Sequence, residues 1–135
     1  MSLSRLAPFA LVALALATAC QGTAAQMPSK TIELKTLNAS GVSGQAVLTD
    51  LGNGRTRVDI QVKAAGHPDM PSHVHPGTCA NLVPQPRYPL ESVKQGSAST
   101  EIPVGLAELL QQSAVVMTHK SNDEMAVYTS CGEIR

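Results

Sequence analysis

Two histidines and a cysteine lie close together in "PSHVHPGTCA", residues 71–80, and a third histidine, His119, closes the apolar run "AVVMTH". Side chains at i and i+2 of a strand share a face about 7 Å apart, so His73 and His75 can converge on one ion while Val74 turns into the core. Taken alone, a His-x-His pair is a weak signal that more often means two imidazoles on a solvated face. His119 shifts that balance, because it ends a strand that a β-sandwich can set beside the His-x-His. Three neutral imidazoles without a thiolate suit copper or zinc.

Other donor-type residues are ambiguous in the sequence. His67 precedes Pro68 in a break, so its direction cannot be read. Met70 and Met117 have the soft sulfur that copper accepts, yet methionine on a strand also serves as core filler. Cys79 and Cys131 read as a structural bridge rather than metal ligands if the chain is exported. Closing a loop of that length stabilises by roughly 4 kcal/mol on the chain-entropy argument and ties the region after the His-x-His to the last strand.

Export is expected from residues 1–25, which carry Arg5, then the apolar run Leu6 to Ala17 interrupted only by Pro8, then small residues around Cys20 and Ala25. That order is the order of a secretory signal, and its apolar part is shorter than the about 20 residues a bilayer span needs. Ala17-Thr18-Ala19 suits an ordinary signal peptidase, whereas "LATAC" loosely resembles a lipobox ending at Cys20. If Cys79 and Cys131 pair, Cys20 is the cysteine left over, placed at a lipidation position. The mature chain is therefore read as periplasmic, or as a membrane-anchored lipoprotein facing the periplasm or cell exterior. A lipid anchor at Cys20 is its single expected membrane contact.

Removing Arg5 takes the ten Lys and Arg of the full sequence to nine, against ten Asp and Glu, with no run of either sign. Such a surface argues against nucleic acid or anionic membrane as a partner. After the leader, Tyr88 and Tyr128 are the only aromatic residues. The core must then be built from Val, Ile, Leu, Met and Ala, and stacking platforms for bases are absent.

These residues need a scaffold, and the pattern supplies strands. Residues 26–30 read as a polar linker and residues 31–135 as one domain. Ile32, Leu34 and Leu37 point one way in a first strand. "GQAVLTD" and "RTRVDIQVK" flank "LGNG" as a hairpin, with Thr56, Val58, Ile60 and Val62 on one face and charged residues on the other. After the break at Gly66 and Pro68 comes "SHVH", then a loop from Pro76 to about Pro89 in which four prolines exclude a central strand. "SASTEIPV" reads as a strand. "GLAELLQQ" reads as a short helical turn, since Leu106, Leu109 and Leu110 have i, i+3, i+4 spacing. "AVVMTH" and "EMAVYTSCGEI" then close the fold around a turn at "KSND". Six to eight short strands with little helix predict an all-β sandwich or small barrel.

In their order, "SHVHPGTC", "VVMTHKSND" and "YTSCGEI" resemble three segments of the Cu/Zn superoxide dismutase superfamily, over about residues 42–134. The resemblance implies a Greek-key β-sandwich or barrel of that type. It makes His73, His75 and His119 ligands of one copper ion and pairs Cys79 with Cys131. Asp123, four residues after His119, would hydrogen-bond a metal-site histidine. Read from the sequence alone, Asp123 is equally a turn residue after Asn122.

The departures limit what the resemblance implies. The superfamily carries a bridging histidine and a zinc set of histidines and an aspartate between the first cysteine and the last copper histidine. Residues 80–118 here contain no histidine and no aspartate. Zinc is therefore not expected at the family's zinc site. Tyr128 stands where the family has its active-site arginine, and the long charged loop that guides superoxide is missing, with Arg87 as the one candidate to replace the lost charge. The expectation is an exported superoxide dismutase-like copper-binding protein in which superoxide dismutation is weak. A copper-buffering or carrier protein without turnover is the alternative, as is a metal-free module resembling chordin-type domains.

Overall fold

The structure is a computed structural model that describes residues 19–135. Most of the expected leader, including Arg5 and the apolar run, lies outside the described residues. Residues 19–28 are exposed and without regular structure. Eight strands follow: β1 (Ser29–Thr36), β2 (Ser43–Gly52), β3 (Arg55–Lys63), β4 (Asp69–Pro76), β5 (Tyr88–Lys94), β6 (Ser97–Ile102), β7 (Ala114–His119) and β8 (Tyr128–Ile134). One short helix, α1 (Leu106–Gln111), lies between β6 and β7.

The strands pair antiparallel in a closed barrel of order β1-β2-β3-β6-β5-β4-β7-β8. β4, β5 and β6 run consecutively and β7 returns to lie beside β4, which is the Greek-key arrangement. Closure comes from β1 against β8, through Lys35↔Cys131 and Thr36↔Ser130. Gly132 permits that approach. A Cβ there would meet the Glu33 carbonyl at 2.4 Å and Leu34 Cδ2 at 2.8 Å.

The predicted β2–β3 hairpin forms around Asn53-Gly54, whose φ angles of 53° and 69° are the left-handed pair that a type I′ turn requires. Thr56, Val58 and Ile60 are buried, with Val62 partly so, while Arg57 and Asp59 pair on the outside at 2.9 Å. β1 begins earlier than the polar reading of residues 26–30 suggests, because Ser29 and Lys30 extend its ladder with β2 opposite Thr49 and Leu48.

Two boundaries differ more. The expected loop to Pro89 ends at Arg87, since Tyr88–Lys94 forms β5 and pairs with β4 through Val74↔Tyr88, His73↔Pro89 and Ser72↔Leu90. Pro89 is the second residue of that strand, where a missing N–H costs the ladder little. On its other side β5 meets β6 through the single pair Lys94↔Ser97, around a turn whose residues Gln95 and Gly96 have φ of 52° and 90°. The closing strand starts at Tyr128 rather than Glu124. Two successive turns, Glu124 N–H to Ser121 O and Val127 N–H to Glu124 O, occupy the residues between.

The interior holds aliphatic side chains from every strand, among them Leu34, Leu48, Ile60, Met70, Val74, Val93, Val116 and Ile134. Leu106 and Leu109 of α1 join them, as the helical spacing predicts, with Leu110 packed partly against the same core. β7 is buried along its whole length. Its inward residues Ala114 and Val116 belong to this core, whereas Val115 and Met117 point outward into a second cluster with Cys131, flanked by Leu37, Cys79, Leu82 and Tyr128. The loop from Gly77 to Arg87 thus roofs the outer face of β4 and β7, the face that carries the histidines.

Candidate metal centre

β4 places His73 and His75 on that outer face with Val74 in the core between them, as strand alternation dictates. β7 runs antiparallel beside β4 in the register Ser72↔Thr118 and His73↔Met117, which brings the end of β7 to the His-x-His. The β7–β8 ladder shifts register between Thr118 and His119, with Thr129 of β8 as the extra residue, so β7 itself keeps its alternation through His119. The three imidazoles meet: His73 Nδ1 is 2.9 Å from His119 Nε2, and His75 Nε2 is 3.4 Å from the same atom. One ligand nitrogen from each ring lies within 4.8 Å of the others.

Hydrogen bonds decide which nitrogens are free. His75 Nδ1 is 3.0 Å from the carbonyl oxygen of Val83, and His119 Nδ1 is 2.6 Å from that of Met125. A carbonyl can only accept, so each Nδ1 carries the proton and donates it. In the neutral rings both Nε2 atoms therefore present lone pairs, and these face each other across 3.4 Å. His73 Nδ1, 2.9 Å from His119 Nε2, is the donor to that ring's lone pair, and an ion bound there would take the place of its proton.

Imidazole–metal bonds of about 2.0–2.1 Å let two donors on one ion stand at most about 4.2 Å apart, so the separations of 2.9 and 3.4 Å fit a shared ion, and the group, spread over as much as 4.8 Å, would draw in on binding. His75 and His119 are 2% and 3% exposed and His73 is half-buried, so solvent reaches the group from the His73 side.

Electrostatics keep His73 and His119 neutral. Burial, reinforced by the neighbouring His119 and His75, pulls the His73 pKa down from 6.5 to about 4. Burial also lowers that of His119, opposed in part by the bond to the Met125 carbonyl and aided by His75. Near pH 7 both are unprotonated, the state a metal requires.

The braces are held in turn. Val83 N–H donates to Pro76 O at 2.8 Å, and Gly77 bridges to Leu82 within the same loop. Gly77 has φ 105°, and a Cβ there would lie 2.5 Å from the Asn81 carbonyl, so the tight loop needs glycine at this point. Cys79 and Cys131 form a disulfide that fastens the loop to β8. On the other side, Lys120 N–H bonds to Val127 O and the Tyr128 ring packs edge-on against His119 with centroids 5.3 Å apart.

The remaining candidates fall elsewhere. Asp123 is exposed and makes no hydrogen bond to a histidine among the described residues; the acceptors at His75 and His119 are main-chain carbonyls. The residue lies in the two-turn loop, whose path brings Met125 rather than Asp123 onto His119. His67 stays in the turn before β4, its N–H bonded to Ala64 O, outside the histidine group. Met70 is in the barrel interior, where the Thr129 hydroxyl contacts its sulfur at 3.5 Å. Arg87 donates from its guanidinium to Gln112 Oε1. Cys20 is free and exposed.

Sequence reading missed Val83 and Met125, which set the tautomers. Their contribution is a backbone carbonyl, which every residue has, so no sequence signal marks it. No family model, curated protein or solved structure matches the chain.

Proposed function

We propose that the protein is an exported copper-binding protein of superoxide dismutase-like type, holding one copper ion on His73 Nδ1, His75 Nε2 and His119 Nε2. One observation carries the reading: two main-chain carbonyls fix the tautomers of His75 and His119 so that their lone pairs converge, with His73 Nδ1, on one point. Imidazoles with no thiolate or carboxylate favour copper over zinc in the general affinity order of divalent ions. The sequence order of His-x-His, disulfide cysteine, third histidine and second disulfide cysteine supports the family type.

Copper supplies one-electron chemistry when bound. The chain's own part is to hold three imidazole donors and admit small molecules past the half-buried His73. Rapid superoxide turnover gains from positive potential beside the metal. Here the charge of Lys120, the residue after His119, is offset by Glu124 at 2.8 Å, and Arg87 hydrogen-bonds to the neutral Gln112 amide rather than to a histidine of the site. Dismutation is therefore expected to be weak, which favours copper holding or transfer as the alternative role on the same site.

Metal analysis of full-length protein purified from a copper-supplemented periplasm tests the reading. One copper per chain, lost in the His73→Ala, His75→Ala double variant, supports it. Correctly folded protein with no bound metal refutes it and leaves the metal-free module. A superoxide assay on the loaded protein then separates the two copper roles, and turnover near that of ordinary superoxide dismutases would overturn the expectation of weakness.

A further inference from the structure

We propose that the Met117 thioether is a fourth, soft donor to the ion held by the three histidines, biasing the site toward Cu(I); this rests on the copper reading above. In the β4–β7 ladder Met117 stands directly opposite His73. Direct antiparallel partners share a face with their Cβ atoms about 5 Å apart. His119 is two residues further along β7, hence on that same face. Met117 is thus bracketed by the exposed member of the histidine group across the ladder and by a buried member along its own strand.

Its surroundings agree with that placement. Met117 is 0% exposed, and it packs with Val115 and Cys131 under the loop, apart from the barrel interior that holds Val74 and Val116. Met70, also on a strand, lies in that interior. Filling the outer cluster does not demand sulfur, since the other outward position of β7 within it is a valine, Val115. What a methionine adds here is a flexible, polarisable donor next to three harder nitrogens, shielded from water.

Softness sets the chemistry. Thioether sulfur selects Cu(I) over Cu(II) and zinc, and a weak thioether beside imidazoles tunes the copper potential. Met117 would donate one sulfur lone pair to the ion, with no bond in the protein broken and no proton moved. The ion it suits is Cu(I), or Ag(I) as a redox-inert substitute.

Copper-edge X-ray absorption on the Cu(I)-loaded full chain tests this directly. The expected result is a sulfur shell beside the nitrogen shell. It should become a selenium shell in selenomethionine-labelled protein, which keeps the fold, and vanish in the volume-conserving Met117→Leu variant. Removing the sulfur should also lower the Cu(I) to Cu(II) affinity ratio about tenfold, a drop in reduction potential of about 59 mV. Copper bound by nitrogen alone, with the potential unchanged in Met117→Leu, overturns the role of Met117 and leaves the three-histidine site standing. No copper retained by the wild-type chain overturns both.

Discussion

Removing the Cys79–Cys131 bridge, by the double substitution Cys79→Ala, Cys131→Ala, should weaken the fold and the site together. The two cysteines are 52 residues apart in sequence. For a loop of that length the chain-entropy relation gives about 14 cal/mol/K, or about 4 kcal/mol at 25 °C, lost from the stability of the folded state. A domain of ordinary stability, roughly 5–15 kcal/mol, would be left marginal, with its melting temperature lowered by roughly 15–20 °C. Urea denaturation with linear extrapolation measures the change, and chemical reduction of the wild-type protein should reproduce it. The site should respond through the loop. Once the roof over the outer face is freed from β8, the Val83 carbonyl no longer pins His75 Nδ1, and nitrogen NMR should show a mixture of His75 tautomers in the double variant and a single Nδ1–H form in the wild type. A stability loss under about 1 kcal/mol would refute the entropic reasoning. An unchanged His75 tautomer in a destabilised protein would refute the claim that the bridge holds the brace.

Two further outcomes follow from the same geometry. Because burial takes His73 to about pKa 4 in the fold against 6.5 unfolded, the unfolded chain binds protons below pH 6.5 that the fold refuses until about pH 4. Stability should therefore be full above pH 6.5 and fall as the pH drops from there toward about 4, with His119, lowered in the same direction, adding to the slope. Urea midpoints across that window should fall less in a His73→Gln, His119→Gln variant, and equal slopes would contradict the argument. Gly132→Ala should cost about 2–3 kcal/mol by overpacking, because its Cβ would meet the Glu33 carbonyl at 2.4 Å. Gly22→Ala, with nothing within 4 Å, is the neutral control in the same urea assay.

Much of the barrel is legible in the sequence wherever one face is wet. β3 alternates cleanly because its charged residues face solvent, and "LGNG" announces its turn because Asn-Gly tolerates two left-handed residues in succession. The Leu106/Leu109 spacing marks the helix for the same reason, one buried side on an exposed element. β5 is hidden because Pro89 argues against a strand and Gln95 is not a usual turn residue, yet its pairing with β4 outweighs both. β7 resists reading because it is buried on both faces, so "AVVMTH" shows no alternation that would say which side Met117 takes.

The site divides along the same line. The sequence by itself determined that His73 and His75 share one face, since that follows from the two-residue period of any strand, and that His119 ends an apolar strand. It also determined that no second set of histidines and aspartates follows Cys79 before His119. Only the tertiary structure decided that β7 lies beside β4 in the register that joins the three rings, that Asp123 stays in solvent, and that Met117 stands opposite His73. Above all it decided the tautomers. The carbonyls of Val83 and Met125 reach the imidazoles because two loops fold over the outer face, and the place of a backbone oxygen depends on the path of the chain rather than on the residue that carries it.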